Sequence, residues 1–251
     1  MQMKPRYWPT ARGLVVLNIA LCLQPVFAVP VGASTTTTTI TSTQPHPTRA
    51  SFDNEDASLE VRQIADWIVD SRNNGSLPFA IVDKMNAKVF VFTAGGRLRG
   101  AARALLGLAL GDDSTPGIGD KKLSNIRPEE RTTPAGRFVA TMGRNIHGKE
   151  ILWVDYGLAI SLHRVITSNA AERRAERLAS PNTADKRITY GCINVSEAFY
   201  LQVVHPVFSR TNAVVYVLPE TRPAQALFHS YIVDNSGTAD HLSVSEGTHG
   251  N

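Results

Sequence analysis

The sequence predicts a mainly β fold with short helices at its periphery. Short runs rich in valine, isoleucine and phenylalanine recur along the chain, and such runs are typical of strands. Turn-forming residues separate the runs, and few segments show the period of an amphipathic helix. Many short strands in succession with few helices indicate one mainly β domain. The 251 residues, 43% of them hydrophobic, are enough for one sizeable core.

The first 28 residues have the features of a cleavable signal peptide. A basic segment with Lys4, Arg6 and Arg12 precedes the mostly apolar residues 13–27, and small residues stand at the expected cleavage position. The apolar stretch is too short and too interrupted to span a bilayer stably, and an uncleaved anchor is the alternative. The sequence therefore predicts export to the periplasm or cell envelope, with no integral membrane domain after cleavage.

The exported chain is predicted to begin with a disordered tether and to be nearly neutral. Threonine, serine and proline dominate residues 29–52, which show no hydrophobic period. Loss of residues 1–28 removes three basic residues and no acid, so the net charge falls from +4 to +1. Such a chain gives no electrostatic argument for binding nucleic acid, and we expect no nucleic-acid partner.

A helix is predicted within residues 53–76. Asp53, Asn54 and Asp56 can cap its start, and the segment 73–75, with two asparagines and a glycine, can end it. Its apolar positions fall near one face. They are Leu59, Ile64, Trp67 and Ile68.

Residues 78–219 are predicted to form the folded domain. Its strands are expected at residues 77–82 and 88–92, joined as a hairpin, and at 137–142, 151–156, 158–163 and 213–218. Helices are expected at 173–178 and 195–204, and periodicity cannot decide whether 101–110 is a buried strand or a short helix. Residues 111–136 read as a long functional or mobile loop, and residues 220–251 as a flexible tail.

Cys192 is the candidate nucleophile of this domain. Cys22 lies in the predicted signal peptide, so an exported chain has no partner for an internal disulfide. Gly191 allows another molecule to approach the backbone closely. His163, at the end of a predicted strand, could accept the thiol proton and let Cys192 attack an amide carbonyl to form a thioester. The alternative is an inert core cysteine and a structural histidine.

Backbone N–H groups near the cysteine could stabilise the oxyanion of that attack. Those of Tyr190, Gly191 and Cys192 are the natural donors, because the loop that carries them is predicted to lead into a helix N-terminus. His205, in the predicted helix after the cysteine, is the rival base, but its valine and proline neighbours favour a packing role. The remaining histidines show no metal-ligand spacing with Cys192. No metal site and no cofactor are predicted.

Three sequence elements, in this order, resemble the catalytic domain of the L,D-transpeptidases (the YkuD type). The hairpin of residues 81–92 looks like the family's first hairpin, and Thr133-Pro134-Ala135-Gly136-Arg137-Phe138 is similar to its T-P-x-G-x-F element. The third element is His163, a spacer, and then Thr189-Tyr190-Gly191-Cys192-Ile193-Asn194, which resembles the family's signature. The strand at 213–218 fits the family's closing strand. The resemblance covers about residues 78–219.

This resemblance implies a β-sandwich or open barrel that acts on the bacterial cell wall. It implies Cys192 as nucleophile and His163 as base, with the backbone carbonyl of Arg164 orienting the imidazole and with Thr189 and Asn194 supporting the motif. Peptidoglycan stem peptides would be both donor and acceptor of the acyl group. Water could instead be the acceptor, which would give an L,D-carboxypeptidase, or the chain could be a non-catalytic wall-binding relative. The sequence does not indicate the oligomeric state.

The chain departs from the family pattern in two places. The spacer between His163 and Cys192 has 28 residues, longer than is common, so an insertion at 168–186 must loop out. Tyr190 stands where the family often has a second histidine. The insertion holds a charged cluster at 172–177, which reads most simply as a solvated helix. The alternative is a lid whose arginines contact the carboxylates of a cell-wall peptide.

Overall fold

The computed structural model of the chain describes residues 48–234. The predicted signal peptide, most of the predicted tether and the end of the predicted tail lie outside these residues. The strands of the described part are β1 (Phe79–Asp83), β2 (Lys88–Phe92), β3 (Leu98–Arg103), β4 (Leu106–Gly107), β5 (Gly136–Arg144), β6 (Glu150–Asp155), β7 (Ile160–Arg164), β8 (Arg187–Thr189), β9 (Ile193–Val195) and β10 (Ala213–Val217). Its α-helices are α1 (Leu59–Ser71), α2 (Arg174–Ala179), α3 (Glu197–Phe199), α4 (His205–Phe208) and α5 (Ala224–Phe228), and a π-helical turn (Tyr200–Val204) joins α3 to α4.

Eight of these strands form one sheet in the order β3-β2-β1-β10-β5-β6-β7-β9. Neighbours are antiparallel except for β1 with β10 and β7 with β9, which are parallel. Just after β3, Leu105 exchanges backbone hydrogen bonds with Asn194 of the opposite edge strand β9, at 2.8 and 2.9 Å. The sheet thus nearly closes into a barrel, and the mainly β prediction is confirmed.

Alternate residues of the strands point into two separate apolar clusters. On β1, Ala80 and Val82 face a cluster that includes Leu162, while Phe79 and Ile81 face a second cluster under α1. This division follows the two-residue period of side-chain direction along a strand. Because both faces are covered, all five residues of β1 are buried. The run of apolar residues in this strand is therefore explained by burial on both sides.

Helix α1 lies where the sequence predicts a helix, with differences at its ends. Ser58 is the N-cap, its hydroxyl accepting from the N–H of Val61, so the predicted caps further upstream are wrong. The helix stops at Arg72, which adopts the left-handed conformation just before the predicted 73–75 terminator. Of its predicted apolar face, Leu59 is exposed whereas Ile64, Trp67 and Ile68 are buried.

The strand predictions are confirmed within a few residues, and the ambiguous segment 101–110 is now assigned. Its first part ends β3, and Leu106–Gly107 forms β4, which pairs in parallel with β8 just before the Gly191-Cys192 pair. The predicted loop at 111–136 is irregular apart from three 3-10 turns and a β-bridge between Thr132 and Ala109, and its last residue begins β5. The helix predicted at 173–178 is α2.

The helix predicted at 195–204 is wrong at its start. The residues directly after Cys192 form strand β9, and the helical segment begins only at Glu197, capped by the hydroxyl of Ser196. Ile193 and Val195 are fully buried between β7 and the barrel interior, where strand pairing satisfies their backbone. Sheet pairing overrides the helical pattern here.

Both ends of the described range pack against the rest of the fold, although the sequence assigned them to a disordered tether and a flexible tail. Phe52, expected in the tether, is buried, and its ring meets that of Phe92 edge-on. Beyond residue 219, α5 places Phe228 in a stacked contact with Trp67 of α1. The predicted flexible tail is therefore wrong for residues 220–234.

A buried ionic cluster fastens this C-terminal segment to the loops. Lys84, whose side chain is fully buried, donates to Asp112 at 2.8 Å and to the carbonyl of Thr133 at 3.1 Å. Asp112 accepts from the N–H groups of Glu220 and Thr221 at 2.7 and 2.9 Å. Burial would raise the pKa of Asp112, but these donors hold it well below its usual range. The cluster joins three segments that are distant in sequence.

Candidate active site

Strands β7 and β9 bring the predicted nucleophile and base together. They run parallel, with Leu162 opposite Ile193 and His163 opposite Asn194. Because side chains alternate along a strand, Ser161 and His163 of β7 share one face with Cys192 and Asn194 at the β9 edge. The 28-residue spacer leaves this strand pair intact. Its insertion at 168–186 forms helix α2 and neighbouring 3-10 turns, and strand β8 follows.

The turn before Cys192 requires glycine. Gly191 has a φ of +124°, a conformation that other residues rarely adopt. A Cβ atom there would lie 2.7 Å from the backbone oxygen of Thr132 and 2.7 Å from Cδ1 of Ile160. Thr189, predicted to support the motif, stabilises the turn because its hydroxyl donates to the carbonyl of Cys192 at 2.7 Å. The same hydroxyl accepts from the N–H of Gly191 at 3.1 Å.

His163 is held through both of its ring nitrogens. Nδ1 lies 2.7 Å from the backbone carbonyl oxygen of Arg164, the contact that the resemblance implies. A carbonyl can only accept, so Nδ1 carries a proton. Nε2 lies 3.0 Å from the amide nitrogen Nδ2 of Asn194. The imidazole is therefore fixed in the orientation that turns Nε2 toward the β9 side chains.

Asn194 is fully buried, and its side chain connects His163 to the insertion. The amide oxygen Oδ1 accepts from Nη1 of Arg174 at 2.9 Å, while Nδ2 faces His163. Arg174 also pairs with Glu172, and only 13% of its side chain is exposed. Since the guanidinium only donates, the amide must present its oxygen to Arg174 and its N–H to Nε2. In this arrangement Nε2 is an unprotonated acceptor.

Cys192 is half-buried beside polar groups that favour its thiolate. Its sulfur lies 3.5 Å from the hydroxyl of Ser161 and donates to the carbonyl of Ala159 at 3.6 Å. Burial by itself would raise the pKa of the thiol. The side-chain interaction with His163, followed by that with Ser161, outweighs burial and lowers the pKa below its ordinary value. The thiol therefore has the environment of a reactive cysteine.

The predicted set of oxyanion donors needs correction. The N–H of Gly191 is buried and already donates to Thr189, so it cannot also serve an oxyanion. The argument from a helix N-terminus is wrong as well, because a strand follows the cysteine. Within residues 48–234, the N–H groups of Tyr190 and Cys192 make no hydrogen bond to the protein. These two groups remain as candidate donors.

Tyr190 and His205 take positions that the sequence did not indicate. The ring of Tyr190 lies under the guanidinium of Arg131 at 4.0 Å from ring centroid to Cζ. This cation–π contact ties the Gly191 turn to the 111–136 loop. His205, for which the sequence favoured a packing role, is partly exposed, and its imidazole lies 3.5 Å from Glu150.

A cleft of about 320 Å³ opens beside His163. Its lining includes both positively and negatively charged side chains. They are Lys149, Glu150, Arg164 and Glu197. Within the described residues, no group of three or more His, Cys, Asp or Glu side chains is arranged to hold a metal ion. Over the same range, no helix has the length and apolar character needed to cross a membrane.

Sequence reasoning missed Ser161 and Arg174 as members of the site. The alternation of β7 gives a signal for Ser161, since it lies two residues before His163 on the same strand. No sequence signal marks Arg174, because it lies 20 residues from Asn194 inside an irregular insertion. The sequence offered two roles for the charged cluster, a solvated helix or a lid whose arginines contact the substrate. Arg174 has neither role in the structure, because it contacts Asn194 of the site itself.

Comparisons with known proteins give distant similarities. No family model matches the sequence, and no curated protein matches it significantly. Among solved structures, the helical cell shape determining protein Pgp2 from Campylobacter jejuni is 16% identical with a TM-score of 0.36, and the match covers 60% of this chain and 52% of that one. An L,D-transpeptidase from Enterococcus faecium is 15% identical with a TM-score of 0.31, covering 55% of this chain and 49% of that one. The chain thus spans about half the length of each protein.

Proposed function

We propose that the protein is an exported cell-wall L,D-transpeptidase that acts on peptidoglycan stem peptides. The observation that carries this proposal is the strand pair β7–β9, which sets Cys192 beside an imidazole oriented by the carbonyl of Arg164. A cysteine with a lowered thiol pKa and a fixed basic partner is suited to nucleophilic attack. The choice of stem peptides as substrate rests on the resemblance of the three sequence elements to the L,D-transpeptidase domain.

The proposed reaction has two transfers of the same acyl group. The N–H of Asn194 leaves Nε2 of His163, whose single lone pair then accepts the proton of Cys192, and the sulfur attacks the amide carbonyl of the stem peptide's third residue. The N–H groups of Tyr190 and Cys192 stabilise the oxyanion. The tetrahedral species expels D-alanine, which takes the proton from His163, and leaves a thioester. An acceptor amine then attacks the thioester, its proton returns through His163, and the free thiol is restored.

The acceptor decides between related outcomes. An amine of a second stem peptide gives a cross-link, whereas water gives a shortened peptide and an L,D-carboxypeptidase. Both routes share the thioester and differ only in the group that attacks it. A non-catalytic relative would bind stem peptides and leave them unchanged.

The test is incubation of the purified protein with muropeptides, with products identified by mass. Loss of D-alanine together with a cross-linked product supports the transpeptidase. Loss of D-alanine with a shortened monomer alone indicates the carboxypeptidase, and unchanged muropeptides contradict both. Cys192→Ala is the matched control, because it exchanges one small side chain for another and removes the nucleophile. Retention of activity in this variant would exclude the thioester route.

A further inference from the structure

Arg174 belongs to the insertion between β7 and β9, yet its guanidinium reaches the centre of the site. It donates to Oδ1 of Asn194 at 2.9 Å, and Asn194 in turn lies 3.0 Å from Nε2 of His163. The neighbouring Arg173 differs completely, since 71% of its side chain is exposed and it pairs with Glu176 on the surface. Two adjacent arginines of one charged cluster therefore have different environments, and only one of them contacts the site.

The orientation of the Asn194 amide determines which protonation state of His163 is favoured. With Nδ2 toward the imidazole, the amide donates to Nε2, which must be unprotonated. If the amide turned by 180°, Oδ1 would accept a proton from Nε2. The imidazole would then donate from both nitrogens, to Oδ1 and to the carbonyl of Arg164, which favours the charged imidazolium.

We infer that Arg174 is a positioning residue that holds the Asn194 amide in the first orientation and so keeps Nε2 of His163 unprotonated before reaction. This inference deepens the proposed function, on which the use of His163 as a base rests. It adds a residue from outside the sequence motif that acts through Asn194 without contact with the substrate. The insertion would then be a functional part of the site rather than a surface loop.

Other charged groups around His163 define what the test must separate. Those of the cleft are on β7, on α3 and at or just before the start of β6, and the others are at or just before the start of α2 and at the β9 edge. They are Lys149, Glu150, Arg164, Glu197, Glu172, Arg174 and Cys192. Removal of Arg174 also removes a positive charge, and this alone would favour the imidazolium. The experiment must therefore distinguish action through the Asn194 amide from action through space.

The primary test follows the imidazole nitrogens by ¹⁵N NMR as a function of pH, in a Cys192→Ala background so that the thiol does not titrate with the ring. For Arg174→Met we expect Nε2 to gain its proton about one pH unit higher than in the parent protein, the size of one lost hydrogen bond. Arg174→Lys keeps charge and donor and should restore most of the parent behaviour. Arg173→Met is the matched control and should cause no shift. An unshifted curve for Arg174→Met would overturn the inference.

A double-mutant cycle then identifies the route of action. Asn194→Leu replaces the amide by an apolar group of similar size and removes the intermediary. If Arg174 acts through the amide, Arg174→Met has no further effect in the Asn194→Leu background. An equal shift in both backgrounds means a through-space charge effect and overturns the inference. Should Asn194→Leu fail to fold, Asn194→Ala serves as the second background, since it also removes the amide and adds no charge.

A second readout is the pH profile of Cys192 alkylation by iodoacetamide. Arg174→Met should change the midpoint of this profile, and Arg173→Met should not. Neither measurement needs peptidoglycan, so the inference about Arg174 can fail while muropeptide turnover succeeds. Conversely, unchanged muropeptides would reject the proposed function without altering the result for the imidazole.

Discussion

The hydroxyl of Thr133 donates to the carbonyl oxygen of Gly191 at 2.8 Å and accepts from the N–H of Gly107 at 2.8 Å. This one side chain, fully buried, connects the Thr133–Phe138 element to the turn that carries Cys192 and to β4. The Thr133–Phe138 element and the segment around Gly191, both singled out in the sequence, are thus in direct contact through Thr133. The first prediction follows from it.

Thr133→Val keeps the shape of the side chain and removes both hydrogen bonds. It should leave the buried carbonyl of Gly191 and the N–H of Gly107 without partners, at a cost of about 1–3 kcal/mol for each group. We expect a lower free energy of unfolding, measured with urea, and slower alkylation of Cys192. Thr141→Val, at an exposed position of β5, is the matched control. Equal stability of both variants would contradict this role.

Gly191→Ala should disrupt the turn before the nucleophile. The positive φ and the 2.7 Å approach to the Thr132 backbone leave no room for a Cβ atom. We expect loss of about 2 kcal/mol or more of stability and a large fall in the rate of Cys192 alkylation. Gly95→Ala, where the added Cβ has no neighbour within 4 Å, should change neither measurement. A thiol of normal reactivity in Gly191→Ala would show that the turn geometry is not needed.

The assignment of His163 as base predicts a different pH response for two histidine variants. His163→Ala removes the group that most lowers the pKa of the Cys192 thiol, so alkylation at pH 7 should slow about tenfold and recover toward pH 9. His205→Ala should have little effect, since that imidazole contacts Glu150 at the surface. A profile that responds to His205 and ignores His163 would reject the assignment.

Asp112 should make stability depend on pH in acid. Its pKa is held below the unfolded value of about 3.9, so its contribution is complete above that pH and is lost as pH falls through the folded-state pKa. Asp112→Asn should therefore be less stable than the parent by a constant amount at pH 5–7, and the difference should shrink below pH 4. Urea unfolding across this range gives the comparison. Asp113→Asn, whose side chain is 82% exposed, should show no such difference.

The strand core was predictable because local patterns determine it. Runs such as the one at 88–92 carry enough apolar and β-branched residues to specify a strand before any partner is known. The candidate nucleophile and base could also be named from the sequence, since a cysteine after a glycine and a histidine upstream of it suggest nucleophilic chemistry. These predictions needed no information about distant contacts.

The remaining features depend on contacts between distant segments. Residues 195–204 look helical, yet pairing with β7 converts their first residue and its two predecessors into a strand. The order of residues 220–234 comes from Glu220, which pairs with Arg187, and from Phe228 on Trp67. Arg174 donates to Asn194 from the start of α2, while Lys186 donates to the carbonyls of Leu178 and Ser180 at the other end of that helix. Nothing in the local sequence of the charged cluster indicates that one of its arginines contacts Asn194.

The bridge between Leu105 and Asn194 has a consequence for folding. Asn194 uses its backbone to close the barrel and its side chain to hold His163, so both structures form in the same event. Pairing of residues so distant in sequence is expected late, because closing a long loop costs entropy before any contact forms. A chain that is collapsed but not yet closed would keep its thiol unreactive. The reactivity of Cys192 should therefore report the final step of refolding.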